Sequence, residues 1–388
     1  MKKSIKLSLD EYIIKNPNWL SNQKLAEEIN HLYKTSYNGE SLRKKRIRLL
    51  SRPKEGKMSK QKVLPDFTGQ LHAFLKTRKK VLSIEELSDH FNCGVSKIRD
   101  AMEKLSRQGS NIRIISGGVE LSRDIPKNEP TRIDVRKLGG KVVRFGLTSD
   151  NHLGSKYCRL DVLNALYDIW EKEGIKDVYQ CGNMIDGEAR FNKFDIIAHG
   201  VEGQASYFAE NWPKRKGMNL YFVTGDDHEG WYVQREGVNI GQVLEDTARR
   251  AGRKDLHYLG HMEHDIVYQG TKHKSIMRLI HAGGGSAYAT SYSAQKIVES
   301  YQGGEKPSIL LIGHYHKAEY GYPREVHVVQ AGCTEDQTPF MRKLKIQAHV
   351  GGWIVEFVLS EEGFISRFKC EWIPFYDLNF YKKWKYNL

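Results

Sequence analysis

Cysteine is scarce in this 388-residue sequence: five residues, Cys93, Cys158, Cys181, Cys333 and Cys370, odd in number and never in a CxxC pair. That excludes a disulfide framework and a thiolate zinc site, and fits reduced thiols. No run of 18 or more apolar residues occurs, so a membrane-spanning helix is not expected. The start, "MKKSIKLSLDEY", is basic but lacks the apolar core of a signal peptide. The sequence therefore reads as cytoplasmic, with no membrane partner. Heptad runs are also missing, so no coiled-coil dimer is expected, which leaves the oligomeric state open.

What is abundant is positive charge, and it is unevenly placed. Residues 1–140 hold 30 Lys+Arg against 16 Asp+Glu, a balance of +14, whereas residues 141–388 hold 31 of each and balance to 0. A basic module joined to a neutral one points to a polyanion partner, most often DNA; a merely solvated basic face is the plainer alternative.

Two helical units are legible in the basic third. In "WLSNQKLAEEINHLYKTSYNGESLRKKRIRLL", Leu25 and Ile29 share a helix face and Asn38-Gly39 marks a turn. A second helix then carries Arg43, Lys44, Lys45, Arg46 and Arg48. Helix, short turn and basic helix form the helix-turn-helix pattern. The second unit is "SIEELSDHFNCGVSKIRDAMEKLSRQGSNIRIISGGVELS". Ser83 and Glu86 suit a capping box, and Ile98, Met102 and Leu105 line one face. A hairpin is predicted around Gly117-Gly118. This resembles a winged helix-turn-helix, whose second helix would present Ser96, Lys97, Arg99 and Lys104 to a groove or to phosphates. Packing modules for a protein partner have the same pattern. Residues 123–140, with Pro126, Pro130 and Gly139-Gly140, read as a linker.

From Lys141 onward apolar strands end repeatedly in metal-type side chains. "KVVRFGLTSDNHLGS" ends in Asp150 and His152, "DVYQCGNMIDG" in Asn183, "NLYFVTGDDHEG" in Asp227 and His228, "SIMRLIHAGGGS" in His281, and "SILLIGHYHKAEY" in His314 and His316. Helical segments such as "RLDVLNALYDIWEKEG" lie between. In an open α/β sheet, sites form beyond the carboxyl ends of strands. One such histidine is ordinarily structural; five strand ends in order are a far more specific signal.

The ordered set DxH, GNxxDG, DHE, H, GHxH resembles the calcineurin-like metallophosphoesterase family, including its DNA-nuclease branch, over about residues 141–372. The segment "GCTEDQTPFMRKLKI" is also similar, weakly, to phage-encoded members. The resemblance implies a four-layer α/β/β/α sandwich with two metals. One ion would be held by Asp150, His152 and His316, the other by Asp227, His281 and His314. Residue 183 would bridge them, and His228 would protonate the leaving oxygen or stabilise charge. Two divalent ions about 3.5–4 Å apart can clamp a phosphate and generate hydroxide near neutral pH. Imidazole with carboxylate suits Mn, Fe or Zn better than Mg or Ca, and Mn2+ is the first expectation.

The sequence departs from that family's pattern at a pair of positions. The family's bridging aspartate is Asn183 here, and its asparagine before the catalytic histidine is Asp227. Three readings are open. The carboxylate has changed sides and the site works; or Asn183 inactivates it, since a neutral amide bridges cations poorly; or Asp226 is the ligand in a shifted register. Asp186, Glu188 and Arg190 are either supports of the site or a surface turn. "GGWIVEFVLSEEGFISRFKCEWIPF" reads as a hairpin completing the second sheet, and the tail "YDLNFYKKWKYNL" as edge cover or a base-stacking element.

The expected organisation is a helix-turn-helix module over residues 1–60, a winged helix over 61–122, the linker, and a metallophosphoesterase domain over 141–388. The expected function is hydrolysis of the DNA backbone. Its rivals are a DNA-binding regulatory or structural protein with an inactive core, and a small-nucleotide phosphodiesterase regulated by DNA.

Overall fold

The computed structural model describes residues 13, 22–38, 40–42, 45, 66–78, 81–115, 117–138, 141–285, 287 and 289–375. The chain divides into two units, Met1–Leu64 and Pro65–Leu388.

In the first unit, helix α1 (Asn22–Tyr33) buries Leu25, Ala26 and Ile29 with Ile13 and Leu42. Asn38 caps the next helical turn reciprocally: its Oδ1 accepts from the Ser41 backbone N–H at 2.8 Å, and the Ser41 hydroxyl accepts from the Asn38 N–H at 2.9 Å. Lys45 folds back to donate to the Tyr37 hydroxyl at 3.0 Å. Arg43, Lys44, Arg46 and Arg48 lie outside the described residues.

The second unit begins with a small module: helix α2 (Phe67–Thr77), strand β1 (Leu82–Ser83), helices α3 (Ile84–His90) and α4 (Val95–Arg107), and strands β2 (Ile112–Ile115) and β3 (Gly118–Leu121). The strands form a sheet in the order β1-β3-β2. Leu71 and Leu75 of α2 close its core over Leu87, Ile98 and Leu105. Ser83 and Glu86 make both bonds of a capping box at the start of α3. Ser96, Lys97, Arg99 and Lys104 are exposed on α4. Two of these cations are engaged within the module: Lys97 lies 4.5 Å over the Phe67 ring, and Lys104 pairs with Asp66 at 2.9 Å.

Two six-stranded sheets follow. The first has the order β15-β14-β5-β6-β7-β8 and the second β12-β13-β11-β10-β9-β4. The first comprises β5 (Val142–Thr148), β6 (Asp177–Cys181), β7 (Asn219–Thr224), β8 (Leu256–His261), β14 (Gly351–Leu359) and β15 (Ile365–Pro374). The second comprises β4 (Thr131–Asp134), β9 (Glu263–Gln269), β10 (Lys274–His281), β11 (Ile309–Gly313), β12 (Ala318–Gly321) and β13 (His327–Ala331).

Their near-continuous apolar runs reflect burial on both faces. In β11, Ile309 and Leu311 join the core between the sheets, while Leu310 and Ile312 pack beneath helix α9 (Thr290–Ser300). On the outer face of the first sheet, Val178, Leu220 and Phe222 meet helices α5 (Leu160–Lys172), α6 (Gly200–Asn211) and α8 (Ile240–Arg250) through Trp170, Phe208 and Leu244. The result is the four-layer α/β/β/α sandwich.

Two expectations need correction. Residues 131–134 are not linker: Thr131–Asp134 pairs in parallel with Ile266–Gln269 as the edge of the second sheet. Four residues are too short for a period-2 pattern to show. The C-terminal hairpin β14–β15 adds to the first sheet, because Trp353–Val358 pairs antiparallel with Val142–Leu147. The tail beyond Phe375 lies outside the described residues. Among the described residues, no helix is long and apolar enough to cross a membrane.

The small module packs on the sandwich. Asn111 N–H donates to the Gly237 carbonyl at 2.6 Å, Asn239 N–H to that of Gly109 at 2.9 Å, and His72 Nε2 contacts the Glu236 carbonyl at 3.0 Å. All these contacts fall at the C-terminal end of helix α7 (Gly230–Glu236), where Gly237 adopts φ 61°. A Cβ there would meet the Leu121 side chain at 2.6 Å, so this residue serves both the helix stop and the close approach.

Candidate metal centre

The carboxyl ends of β5, β6, β7, β10 and β11 converge at one edge of the sandwich. Each strand turns sharply as it ends. Asp150, His152, Asn183, His228, His314 and His316 all hold left-handed φ, between 47° and 88°. Such conformations cost about 1–3 kcal/mol each and persist where the surroundings enforce them, typically at functional sites.

Cross-links between the turns do the enforcing. Asp150 N–H donates to the Gly182 carbonyl and His152 N–H to that of Asn183, both at 3.0 Å. Asp150 Oδ2 accepts from the His314 N–H at 2.8 Å and from the Ser149 hydroxyl at 2.6 Å. Its other oxygen, Oδ1, faces His316 Nε2 at 3.5 Å.

Three groups of metal-type donors result. Asp150, His152 and His316 form one cluster and Asp227, His281 and His314 another; His152, Asp186 and His228 form a third group that shares His152 with the first. His281 shows why such a cluster fits a cation. Its Nδ1 lies 2.7 Å from the Cys181 carbonyl, which can only accept, so Nδ1 carries the proton. Its Nε2 then points a lone pair at Asp227 Oδ1, 3.0 Å away, unless a cation or second proton intervenes. Burial alone would lower the His281 pKa; the hydrogen bond and charge of Asp227, with Asp150, outweigh it and raise it to about 9. His152 repeats the arrangement. Its Nδ1 is 3.0 Å from Asp186 Oδ1, and its Nε2 meets His316 Nε2 at 3.3 Å, a face-to-face pair of ring nitrogens that suits a shared ion.

Asn183 is buried beside both clusters. Its Nδ2 lies 3.4 Å from Asp150 Oδ1, while its Oδ1 is buried without a hydrogen-bond partner. An orphaned buried carbonyl oxygen costs about 1–3 kcal/mol, and a cation would satisfy it. Gly225 permits this packing: a Cβ there would come within 2.8 Å of Asn183 Oδ1 and 2.5 Å of the His281 ring. Asp227, not Asp226, faces His281 and His314, so the shifted register is not adopted.

His228 stands outside the Asp150 and Asp227 clusters and falls in the third group, with His152 and Asp186. Its Nδ1 is 3.1 Å from Asp186 Oδ1, and its ring stacks on Trp231 at 4.7 Å. Burial opposes its protonation, but Asp186 outweighs that and raises its pKa to about 9. Asp186 is thus a buried clamp on His152 and His228, held in turn by Asn192 Nδ2 at 3.0 Å, and no part of a surface turn. Glu188 instead accepts from the Gly200 N–H at 2.8 Å, and Arg190 is exposed.

Two functional residues escaped the sequence reading. Glu229 is fully buried; one oxygen accepts from Asn183 and Gly225 N–H at 2.8 Å, the other from Met184 at 2.8 Å and Ile185 at 3.3 Å. It ties the β6 turn to the β7 turn. An acidic residue after His228 was visible, but its four partners are backbone groups that leave no mark in sequence. Glu335 is also buried, with Oε2 3.7 Å from His152 Nε2 and Oε1 accepting from Ser155 at 3.1 Å. Its approach from the loop after β13 had no spacing to signal it.

No protein-family profile and no curated protein matches this chain. Among solved structures, it is similar to an archaeal phosphodiesterase, with 12% identity, 60% of this chain and 100% of that one covered, and a TM-score of 0.31. It is also similar to zinc-complexed Vps29 from Entamoeba histolytica, with 13% identity, coverage of 60% and 99%, and a TM-score of 0.29. A third is a putative 5'-nucleotidase from Staphylococcus aureus, with 14% identity, coverage of 61% and 55%, and a TM-score of 0.34.

Proposed function

We propose that the chain is a DNA-directed, metal-dependent phosphodiesterase. The observation that carries this reading is the pair of His/carboxylate clusters with the orphaned, buried Asn183 oxygen beside them. Asp150, His152 and His316 would hold one ion, and Asp227, His281 and His314 the other; the mixed donor set favours Mn2+, with Fe or Zn next. Bound ions would supply charge to clamp a phosphate and lower the pKa of a water. The protein's own part is orientation and proton transfer. Asp186 holds the His228 ring and favours its charged form, so His228 can donate a proton to the departing oxygen.

Two observations favour DNA over a small phosphoester. The excess positive charge of residues 1–140 is the first. The second is the element order of residues 67–121, which resembles that of a winged helix and would put α4 in the recognition position.

The test is incubation of end-labelled single- and double-stranded DNA with the purified chain in Mn2+. Cleavage is expected, and EDTA should abolish it. His228→Ala is expected to lower the rate about 10²–10⁴-fold while bound Mn2+ is unchanged, since the residue protonates and does not ligate. Intact DNA in Mn2+, Mg2+, Zn2+ and Ni2+ would overturn the reading.

A further inference from the structure

The cavity above the clusters, about 630 Å³, has a polar floor of Asn183, Asp186, Asp227, His228, His314 and His316. Its lips are apolar. Phe191 belongs to one lip and Phe340 to the other, and they are 69% and 62% exposed. Phe194 and Ile197 follow on the first segment and Leu344 on the second, all exposed. Phe191, Phe340 and Leu344 are exposed large hydrophobics that line one cavity, and exposed apolar groups gathered in this way mark binding surfaces. Trp231 braces the first lip from behind, stacked on His228 and edge-on to Phe191 at 5.2 Å.

Cations accompany these rings. Lys193 lies 5.0 Å over the Phe194 ring. With Arg190 and Arg235 it lines a second cavity of about 610 Å³, and helix α7 leads from there to the small module at Gly237. The Arg235 guanidinium is held by the backbone carbonyls of Glu188 and Trp231 and not by a carboxylate. Of the three acids in that cavity, Glu188 accepts from the Gly200 N–H and Glu236 pairs with Lys76 at 4.0 Å, while Glu202 is exposed. On the opposite lip, Arg342 and Lys343 are exposed on helix α10 (Pro339–Leu344).

We infer that this mouth takes single-stranded polynucleotide, with unpaired bases resting on Phe191 and Phe340 and flanking phosphates passing Arg190 and Lys193. The inference rests on the phosphodiesterase reading and names its substrate class. An aromatic ring gains from a base only where the base face is free, and a duplex hides those faces in its stack. The donor clusters also lie at the bottom of the cavity, with Asp150 and His152 fully buried, where a splayed strand reaches and a rigid duplex does not. An acyl chain would suit the apolar lips but leaves the row of cations unexplained.

The test uses the full chain in EDTA, titrated into a twelve-nucleotide single strand carrying 2-aminopurine, whose emission reports stacking. The same strand annealed to its complement is the control. A Phe191→Ala/Phe340→Ala protein is expected to raise the Kd for the single strand about 5-fold or more. Phe191→Leu/Phe340→Leu is expected to do the same, and tryptophan at both positions to restore binding. Both side chains are exposed, so melting temperature and bound Mn2+ should match the parent. Equal Kd values for parent and alanine protein overturn the inference, as does an equal emission change with the duplex. Recovery by leucine also overturns it, because that marks an apolar ligand such as an acyl chain. Failure of the parent to hydrolyse bis(p-nitrophenyl) phosphate in Mn2+, with stacking intact, would sink the phosphodiesterase reading and leave the binding surface standing.

Discussion

Asp227→Asn is expected to lower phosphodiester hydrolysis roughly 10³-fold, and adding Asn183→Asp to that protein is expected to restore most of it. The first effect follows from geometry. Asp227 places one oxygen 3.0 Å from His281 Nε2 and the other 3.3 Å from His314 Nδ1, so it is the only carboxylate of its cluster. Its pKa lies far below the usual carboxylate range: burial pushes it up, but His281 and His314 more than offset that. Removing this charge leaves two imidazoles to hold a divalent ion, and the charge stabilisation at stake is several kcal/mol, each 1.36 kcal/mol being tenfold in rate.

The second effect tests whether the carboxylate has changed sides. Asn183 Oδ1 faces the His281 side of the centre, within the space that Gly225 leaves open. An aspartate there would return the lost charge to the same pair of clusters, so the double protein keeps the parent's count of carboxylates. Asn183→Asp alone is expected to be the least stable without metal, since a carboxylate replaces the amide now 3.4 Å from Asp150 Oδ1. Bis(p-nitrophenyl) phosphate rates for the four proteins settle the matter. Activity in Asn183→Asp with a silent parent would mean that Asn183 inactivates the site.

Glu229→Ala should produce the largest loss of stability. It strips the acceptor from four buried N–H groups at once, those of Asn183, Met184, Ile185 and Gly225. Burial pushes the Glu229 pKa up to about 7 against the pull of those bonds. An unmatched buried donor costs about 1–3 kcal/mol. Water entering the gap will recover part of that, so a net loss of about 3–5 kcal/mol is expected, or a fall of roughly 10 °C in Tm. Glu229→Gln keeps the volume but turns an NH2 toward two of the donors, and should lose about half as much. Calorimetry in EDTA separates this from any metal effect. A Tm within 2–3 °C of the parent for both proteins would show that these turns hold without the carboxylate.

Much of the site was legible because metal-type residues were delivered at strand ends in a fixed order. Asp150, His152, Asp227, His281, His314 and His316 can each be named as candidates from the sequence, since an apolar run tells where a strand stops. Supports read less well. For Asp186 the sequence leaves a support of the site and a surface turn equally open, and only the fold shows it gripping His152 and His228. Glu229 and Glu335 act through backbone groups and tertiary approach, which sequence spacing does not encode. In the fold, β4 was missed because four residues carry no period, and helix α2 because Leu71 and Leu75 alone gave too weak a pattern. The C-terminal hairpin is legible in the sequence but the sheet it joins is not: alternation fixes a strand's faces and says nothing of its neighbour.

The most direct measurement is the number of metal ions held by the purified chain. The protein would be stripped with EDTA, loaded with Mn2+, passed through a desalting column and analysed by elemental mass spectrometry, with Asp227→Asn beside it. The account requires about two Mn2+ per parent chain and about one in the variant, because the Asp150, His152 and His316 cluster is left intact. A parent that retains none, or a variant that retains as many as the parent, would contradict it.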